Sequence, residues 1–257
     1  RRNYLLKTFD SEMSRLVEQE LGKNGVELRL GEEAVEFSGE NGVKKIHTDK
    51  ESYNVDLVLL ATGVSPNNVL AKKIGVKLGS YGGALTNEHM ETNINDIYSA
   101  GDNTEVKNLV TDTYSYLPTA PVANKMGRVA GDNAAGGKSV FPGAVGTVIA
   151  KIYDLEIGRT GLTLNEAKKY GFNAEAETIK HITRSHYYPG HKDIYVRLIV
   201  DVDSGRLLGG QIIGYEGVAG RINVLATALT YKAKIWDLAT LDLGYSPPLA
   251  PVWDSIT

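Results

Sequence analysis

The chain has 257 residues, 42% of them hydrophobic and 23% charged, with a net charge of −3. At about 100–200 residues per domain, two or three domains are expected, and the slight acidity offers no footprint for nucleic acid or another polyanion. No apolar run approaches the ~18–20 residues that span a bilayer, the opening RRNYLLKTFD has no apolar signal core, and the absence of cysteine removes disulfides, thiolate metal sites and a thiol redox centre from this chain.

Asp10 or Ser11 can cap a first helix whose apolar positions, Met13, Leu16, Val17 and Leu21, share one face before Gly25 stops it. VELRL (26–30) and EAVEF (33–37) read as strands, GENG (39–42) as a turn and VKKIHT (43–48) as the return strand. In DLVLLATG (56–63) the apolar residues are continuous, which suits a parallel strand covered on both faces. IYSAGD (97–102) reads as a second short apolar strand. A helix is expected over 119–137, with Thr119 as its cap, Pro121 in its first turn and Gly136-Gly137 at its end. Its Ala123, Gly127, Ala130 and Ala134 form a smooth face suited to close backbone approach.

A boundary is expected near Phe141-Pro142-Gly143. Beyond it TVIAKIYDLEIGRTG reads as strand, and Thr163-Leu-Asn-Glu166 as a capping box opening a short helix. Strands follow at 176–184, 193–202 and 206–215, the last two joined by a hairpin at Asp203-Ser204-Gly205, and a helix at 218–234. This third unit is α+β.

ATG (61–63) and AGD (100–102) each end an apolar strand, where doubly wound sheets bind ligands. Glycine there admits a cofactor to the backbone, and a carboxylate can accept hydrogen bonds from ribityl-like hydroxyls. Two other patterns mislead. Gly131…Gly136-Gly137-Lys138-Ser139 is one residue too long for a phosphate loop and sits at a helix C-terminus, whose dipole repels phosphate. His181, His186 and His191 are spaced by five, which suits neither a strand face nor a helix face, so no metal site is expected.

In order the chain reads DLVLLATGVSPN, METNINDIYSAGD and LPTAPVANKMGR. With these motifs it resembles the pyridine nucleotide–disulfide oxidoreductases over essentially its whole length, and within them the group of coenzyme A-disulfide reductases, NADH oxidases and NADH peroxidases. The resemblance implies an α/β fold built from parts of FAD- and NAD(P)-binding doubly wound domains, plus a C-terminal α+β dimerisation domain. Residues 1–66 would be the second half of the NAD(P)H-binding domain, 67–140 the C-terminal part of the FAD-binding domain, and 141–257 the dimerisation domain of a cytoplasmic homodimer. Asp102, beside Gly101, would bind the flavin ribityl chain. Leu117, Pro118, Thr119 and Ala120 would begin the helix that faces the flavin, and Gly63 would lie near NAD(P)H.

LGYSPPLAPVWD (243–254) and HYYPG (186–190) resemble two tyrosine-bearing segments of that group. They imply substrate contact or proton donation across the dimer by Tyr245, and by Tyr188 or Tyr187. The activity implied is electron transfer from NAD(P)H through FAD to a cysteine centre, then to coenzyme A-disulfide, persulfide, oxygen or peroxide. The chain also departs from the family, for it has neither G-x-G-x-x-G fingerprint nor the redox cysteine. It is therefore expected to be a C-terminal fragment, inert alone, whose parallel strands lack neighbours and expose apolar faces. Two rivals are a ferredoxin- or nitrite-reductase-type flavin reductase, which should lack the Y-x-P-P arm, and a non-enzymatic dimerisation module.

Overall fold

In the computed structural model, which describes residues 3–257, the chain forms two compact units, one ending at Val64 and the other beginning at Ser65. The first holds helix α1 (Ser11–Lys23) and an antiparallel meander of β1 (Ala34–Ser38), β2 (Lys45–Thr48) and β3 (Ser52–Asn54). Met13 and Val17 bury the inner face of α1, and Gly25 follows its end at φ 79°. Two expected strands do not form. VELRL is irregular, and DLVLLATG is likewise irregular, with no ladder partner among the described residues. Leu57 and Leu59 are 78% and 83% exposed. A run of that composition is a strand only when neighbours cover both faces, and this unit supplies none.

The second unit opens with α2 (Val69–Ile74), the two-residue ladder of β4 (Val106–Lys107) and β5 (Tyr114–Ser115), and α3 (Ala120–Ala134). IYSAGD is not a strand. Tyr98 makes one isolated bridge, to Glu91, and the rest of the segment is irregular. There follow β6 (Val148–Ile152), β7 (Leu155–Gly161), α4 (Leu164–Lys169), β8 (Ala174–Ile182), β9 (Asp193–Asp201), β10 (Leu207–Gly214), α5 (Val218–Thr230) and α6 (Ile235–Leu238). TVIAKIYDLEIGRTG is thus a hairpin, turning at Tyr153, whose φ is 51°, rather than one strand. The five strands form one antiparallel sheet in the order β6-β7-β10-β9-β8.

The core lies where α5 crosses this sheet. Every residue of the central strand β10 is buried. Val218, Ile222, Leu225 and Leu229 recur at helical spacing along the inner face of α5 and pack with Ile194, Ile199, Leu208 and Ile212. Burying a leucine of this kind contributes about 1.5–3 kcal/mol. Glycines set the approach, since a Cβ on Gly158 would come within 2.6 Å of Ile222 and one on Gly210 within 2.5 Å of Leu225. On the other sheet face, a Cβ on Gly209 would lie 2.0 Å from the Leu162 carbonyl oxygen. The capping box of α4 forms as expected, with Glu166 N–H donating to Thr163 Oγ1 at 3.2 Å and Thr163 N–H to Glu166 Oε2 at 2.8 Å. No helix among the described residues is long and apolar enough to cross a membrane.

Candidate functional site

The AGD turn and the start of α3 share a small core. Ala100, Leu117 and Val122 pack against Met90, Val106, Met126 and Phe141. Gly101, at φ 86°, has only the Ala123 Cβ near the position a side chain would take, at 3.8 Å. That conformation favours glycine. The turn is thereby held against the first turn of α3. Of the small-residue face expected on α3, only Ala123 has this role. The buried face is Met126, Val129 and Asn133, and Gly127 is open to solvent.

Three open groups meet on this surface. The Asp102 carboxylate is exposed and accepts no hydrogen bond from any described residue. The N–H groups of Ala120 and Val122 have no acceptor among the described residues, because the first bond of α3 runs from Ala123 N–H to Thr119 O at 2.9 Å. Thr119 occupies the N-cap position, but its side chain makes no capping bond, contrary to expectation. A helix start of this kind presents donors and partial positive charge. Thr119, Pro121 and Val122 of this end also border a groove of 880 Å³, shared with Ile149, Asn223 and Thr227, whose lining does not include Asp102. In the first unit Gly63, at φ 106°, has no atom within 4 Å of a side-chain position, so the ATG backbone is open to close approach.

Sequence reasoning missed two neighbours of Asp102. Burial and the Asp102 charge push the Tyr116 phenol above its ordinary pKa. Glu105 is buried, and its Oε1 accepts from Tyr81 N–H at 2.7 Å and Gly83 N–H at 3.2 Å, bracing the 79–83 turn. Glu105 lies three residues after Asp102, but nothing local marks it as buried, since its partners are 22 and 24 positions away.

The second cluster is made of hydroxyls. Tyr187 and Tyr245, from segments 58 residues apart, hydrogen-bond to each other at 2.7 Å. Of the two tyrosines weighed in HYYPG, the structure therefore pairs Tyr187 with Tyr245, not Tyr188. Tyr188 lies near Arg184, and its backbone N–H closes a turn on Ser185 O at 2.9 Å. Ser185, also unforeseen, is buried. Its Oγ faces the Tyr245 hydroxyl, favouring the phenolate, without reaching hydrogen-bond geometry. The bond to Tyr187 outweighs that influence, with burial adding to it, and holds the Tyr245 phenol above its ordinary pKa of 10.0. The Tyr245 phenol is thus neutral at neutral pH and can donate a hydrogen bond. Nearby, Thr183 Oγ1 and Arg184 Nη2 donate to Glu216, and Arg184 Nε donates to Glu216 Oε1 at 2.9 Å. Burial pushes Glu216 up, but these bonds outweigh it and hold the carboxyl below its ordinary value.

Family comparison matches residues 1–127 to pyridine nucleotide-disulphide oxidoreductase and 148–255 to the dimerisation domain of the same family. The chain belongs to the pyridine nucleotide-disulphide oxidoreductase family. Among family members, the NAD(P)H sulfur oxidoreductase (CoA-dependent) of Pyrococcus furiosus is 45% identical over 252 residues, covering 98% of this chain and 57% of that protein. The structure of a NAD-dependent persulfide reductase from A. fulgidus is 36% identical with a TM-score of 0.95, covering 99% of this chain and 48% of the other. A water-forming NADH oxidase from Lactobacillus brevis, solved bound to NADH, is 30% identical with a TM-score of 0.93, covering 99% and 57%. The chain spans a little over half the length of the curated family members it matches. The mixed helix and strand architecture is that of these flavin- and nicotinamide-dependent enzymes.

Proposed function

We propose that this chain forms part of a FAD-dependent NAD(P)H oxidoreductase acting on a coenzyme A-linked disulfide or persulfide, or on oxygen or peroxide. In this reading 1–66 belongs to the NAD(P)H-binding domain, 67–140 to the FAD-binding domain and 141–257 to the dimerisation domain of a cytoplasmic homodimer. The observation that carries it is the open Asp102 carboxylate set beside the donor end of α3.

The groups present fit a flavin. An open carboxylate suits polyol hydroxyls, Gly101 leaves the backbone accessible, and two free N–H groups at a helix start suit electronegative ring atoms. FAD, when bound, supplies the two-electron step between NAD(P)H and the acceptor. Asp102 would hold the ribityl chain. Ala120, with Leu117, Pro118 and Thr119 setting the entry of α3, would stabilise negative charge on the group it faces. Gly63 would admit the nicotinamide nucleotide to the backbone. Tyr187 and Tyr245 would donate hydrogen bonds to the acceptor's sulfur or oxygen, with Tyr188 outside the pair. Since the chain has no cysteine, any thiol step belongs to residues outside it.

The homodimer is supported by the match to the dimerisation domain and by apolar exposure on the edge strand β6, at Val148 and Ile149. A soluble edge of that composition invites cover. The relatives named for sulfur and persulfide chemistry favour a sulfur acceptor over oxygen. The test is the absorption spectrum of the intact protein, followed by NAD(P)H oxidation with coenzyme A-persulfide, coenzyme A-disulfide and oxygen in parallel. A bound flavin with fastest turnover on a sulfur acceptor is expected. A protein that binds no flavin is instead a dimerisation module, and the proposal fails.

A further inference from the structure

The two tyrosine segments share an anchor. HYYPG sits in a loop pinched shut at its base, where Thr183 N–H donates to Lys192 O at 2.9 Å and Lys192 N–H to Thr183 Oγ1 at 3.0 Å. That base is tied through Thr183 and Arg184 to Glu216, at the β10–α5 junction. The arm bearing Tyr245 is tied one turn later. Arg221 Nε donates to Asp254 Oδ1 at 2.8 Å and Nη2 to Oδ2 at 2.7 Å, a bidentate pair whose side chains are 9% and 11% exposed. Planar two-point contact of this kind fixes direction as well as distance.

The junction itself is built tightly. Arg221 Nη1 donates to Gly217 O at 3.2 Å. Gly217, at φ 75°, adopts a backbone conformation that residues with side chains rarely take, and a Cβ there would lie 2.4 Å from Arg221 Nη1 and displace it. A glycine N-cap cannot cap with a side chain, and Glu156 of β7 takes over by accepting from Val218 N–H at 3.0 Å. The helix start is therefore fixed to the sheet, and both tyrosine segments are fixed to the helix start.

We propose that the first turn of α5 is the common anchor that sets Tyr187 against Tyr245, with Glu216 and Arg221 as positioning residues. Glu216 holds the loop, and Arg221 holds the arm. The functional meaning of the anchor rests on the reading of the tyrosine pair as the acceptor contact; its geometry does not.

The test places a fluorotyrosine at position 245 of the intact protein and follows its fluorine NMR signal through an alkaline titration. Tyr187→Phe defines the midpoint of a broken pair, which lies below that of the unmodified background. Glu216→Ala and Asp254→Asn are each expected to move the midpoint more than half way to that reference. Exchange of the charges in Arg184→Glu with Glu216→Arg is expected to restore it. Asp112→Asn, which breaks the Lys232–Asp112 pair (3.2 Å) beyond the far end of α5, should leave it in place. Glu216→Gln provides the same readout if the alanine variant does not fold. Unmoved midpoints in folded Glu216 and Asp254 variants overturn the proposal, as does an equal shift in Asp112→Asn. Turnover separates the two readings. If Tyr187→Phe and Tyr245→Phe leave turnover unchanged while the anchor variants move the signal, the acceptor contact fails and the anchor stands. If the tyrosine variants lose turnover but the anchor variants leave the signal in place, the anchor fails and the contact stands.

Discussion

Replacing Asp102 by alanine separates a binding role from a structural one. The carboxylate is exposed and accepts no hydrogen bond from any described residue, so the fold does not depend on it. Surface changes of this kind alter stability by no more than about 0.5 kcal/mol, or roughly 1–2 °C for a unit of this size. A hydrogen bond from a ligand hydroxyl to a charged carboxylate contributes about 1.5–3 kcal/mol. Loss of one such bond corresponds to about a 10- to 150-fold weaker Kd. The apoprotein should therefore melt as before while FAD affinity falls by one to two orders of magnitude. The Tyr116 phenol should also titrate lower, since Asp102 no longer opposes its ionisation. Fluorescence titration with FAD and a thermal melt of the apoprotein measure the two effects. Unchanged FAD affinity would refute the assignment. A melt lowered by many degrees would show that Asp102 serves the fold instead.

Gly209→Ala puts a methyl carbon 2.0 Å from the Leu162 carbonyl oxygen and 2.8 Å from its nitrogen. Overpacking against backbone should cost about 3 kcal/mol, a fall of roughly 6–12 °C in Tm. The same substitution at Gly131 of α3 meets nothing within 4 Å and should stabilise by about 0.5–1 kcal/mol. Equal melts for the two variants would contradict this account of the sheet. Thr163→Ala removes one half of the α4 capping box and should cost about 1 kcal/mol in urea melts, and an unchanged midpoint would count against it. Glu216, held below its ordinary 4.5, contributes stability that is present above that pH and lost as the pH falls through the lowered folded value. Glu216→Gln should therefore differ from the parent in urea melts above pH 4.5 and converge with it in stronger acid. A difference that persists or grows on acidification would reverse the assigned sign.

The C-terminal sheet was legible because its signals are local. Thr163 and Glu166 form their capping box in place, Asp203-Ser204-Gly205 turns between β9 and β10, and the α5 stripe keeps its period. The misread segments depend on distant residues. Leu57, Val58, Leu59 and Leu60 have the composition of a buried strand, but a ladder needs a neighbour, and none is present among the described residues. IYSAGD met the same difficulty. The candidate site divides in the same way. Asp102 and the α3 start stand out through Gly101 and Pro121, both local signs. Tyr187, Ser185, Glu216 and Arg221 become a unit only when segments more than 30 positions apart are brought together. Choosing between adjacent Tyr187 and Tyr188 required the direction of each side chain, which a loop sequence does not encode.

The shared hydroxyl bond between Tyr187 and Tyr245 also bears on how kinetic data from this pair can be read. Removing either oxygen strips the other of its partner, and removing that of Tyr187 also changes the ionisation of Tyr245, so each single phenylalanine variant alters two groups at once. The two losses in log(kcat/KM) therefore overlap and cannot be summed. Only the full square of parent, both singles and the double variant reports what each phenol does by itself. In that square the second substitution is expected to cost far less than the first.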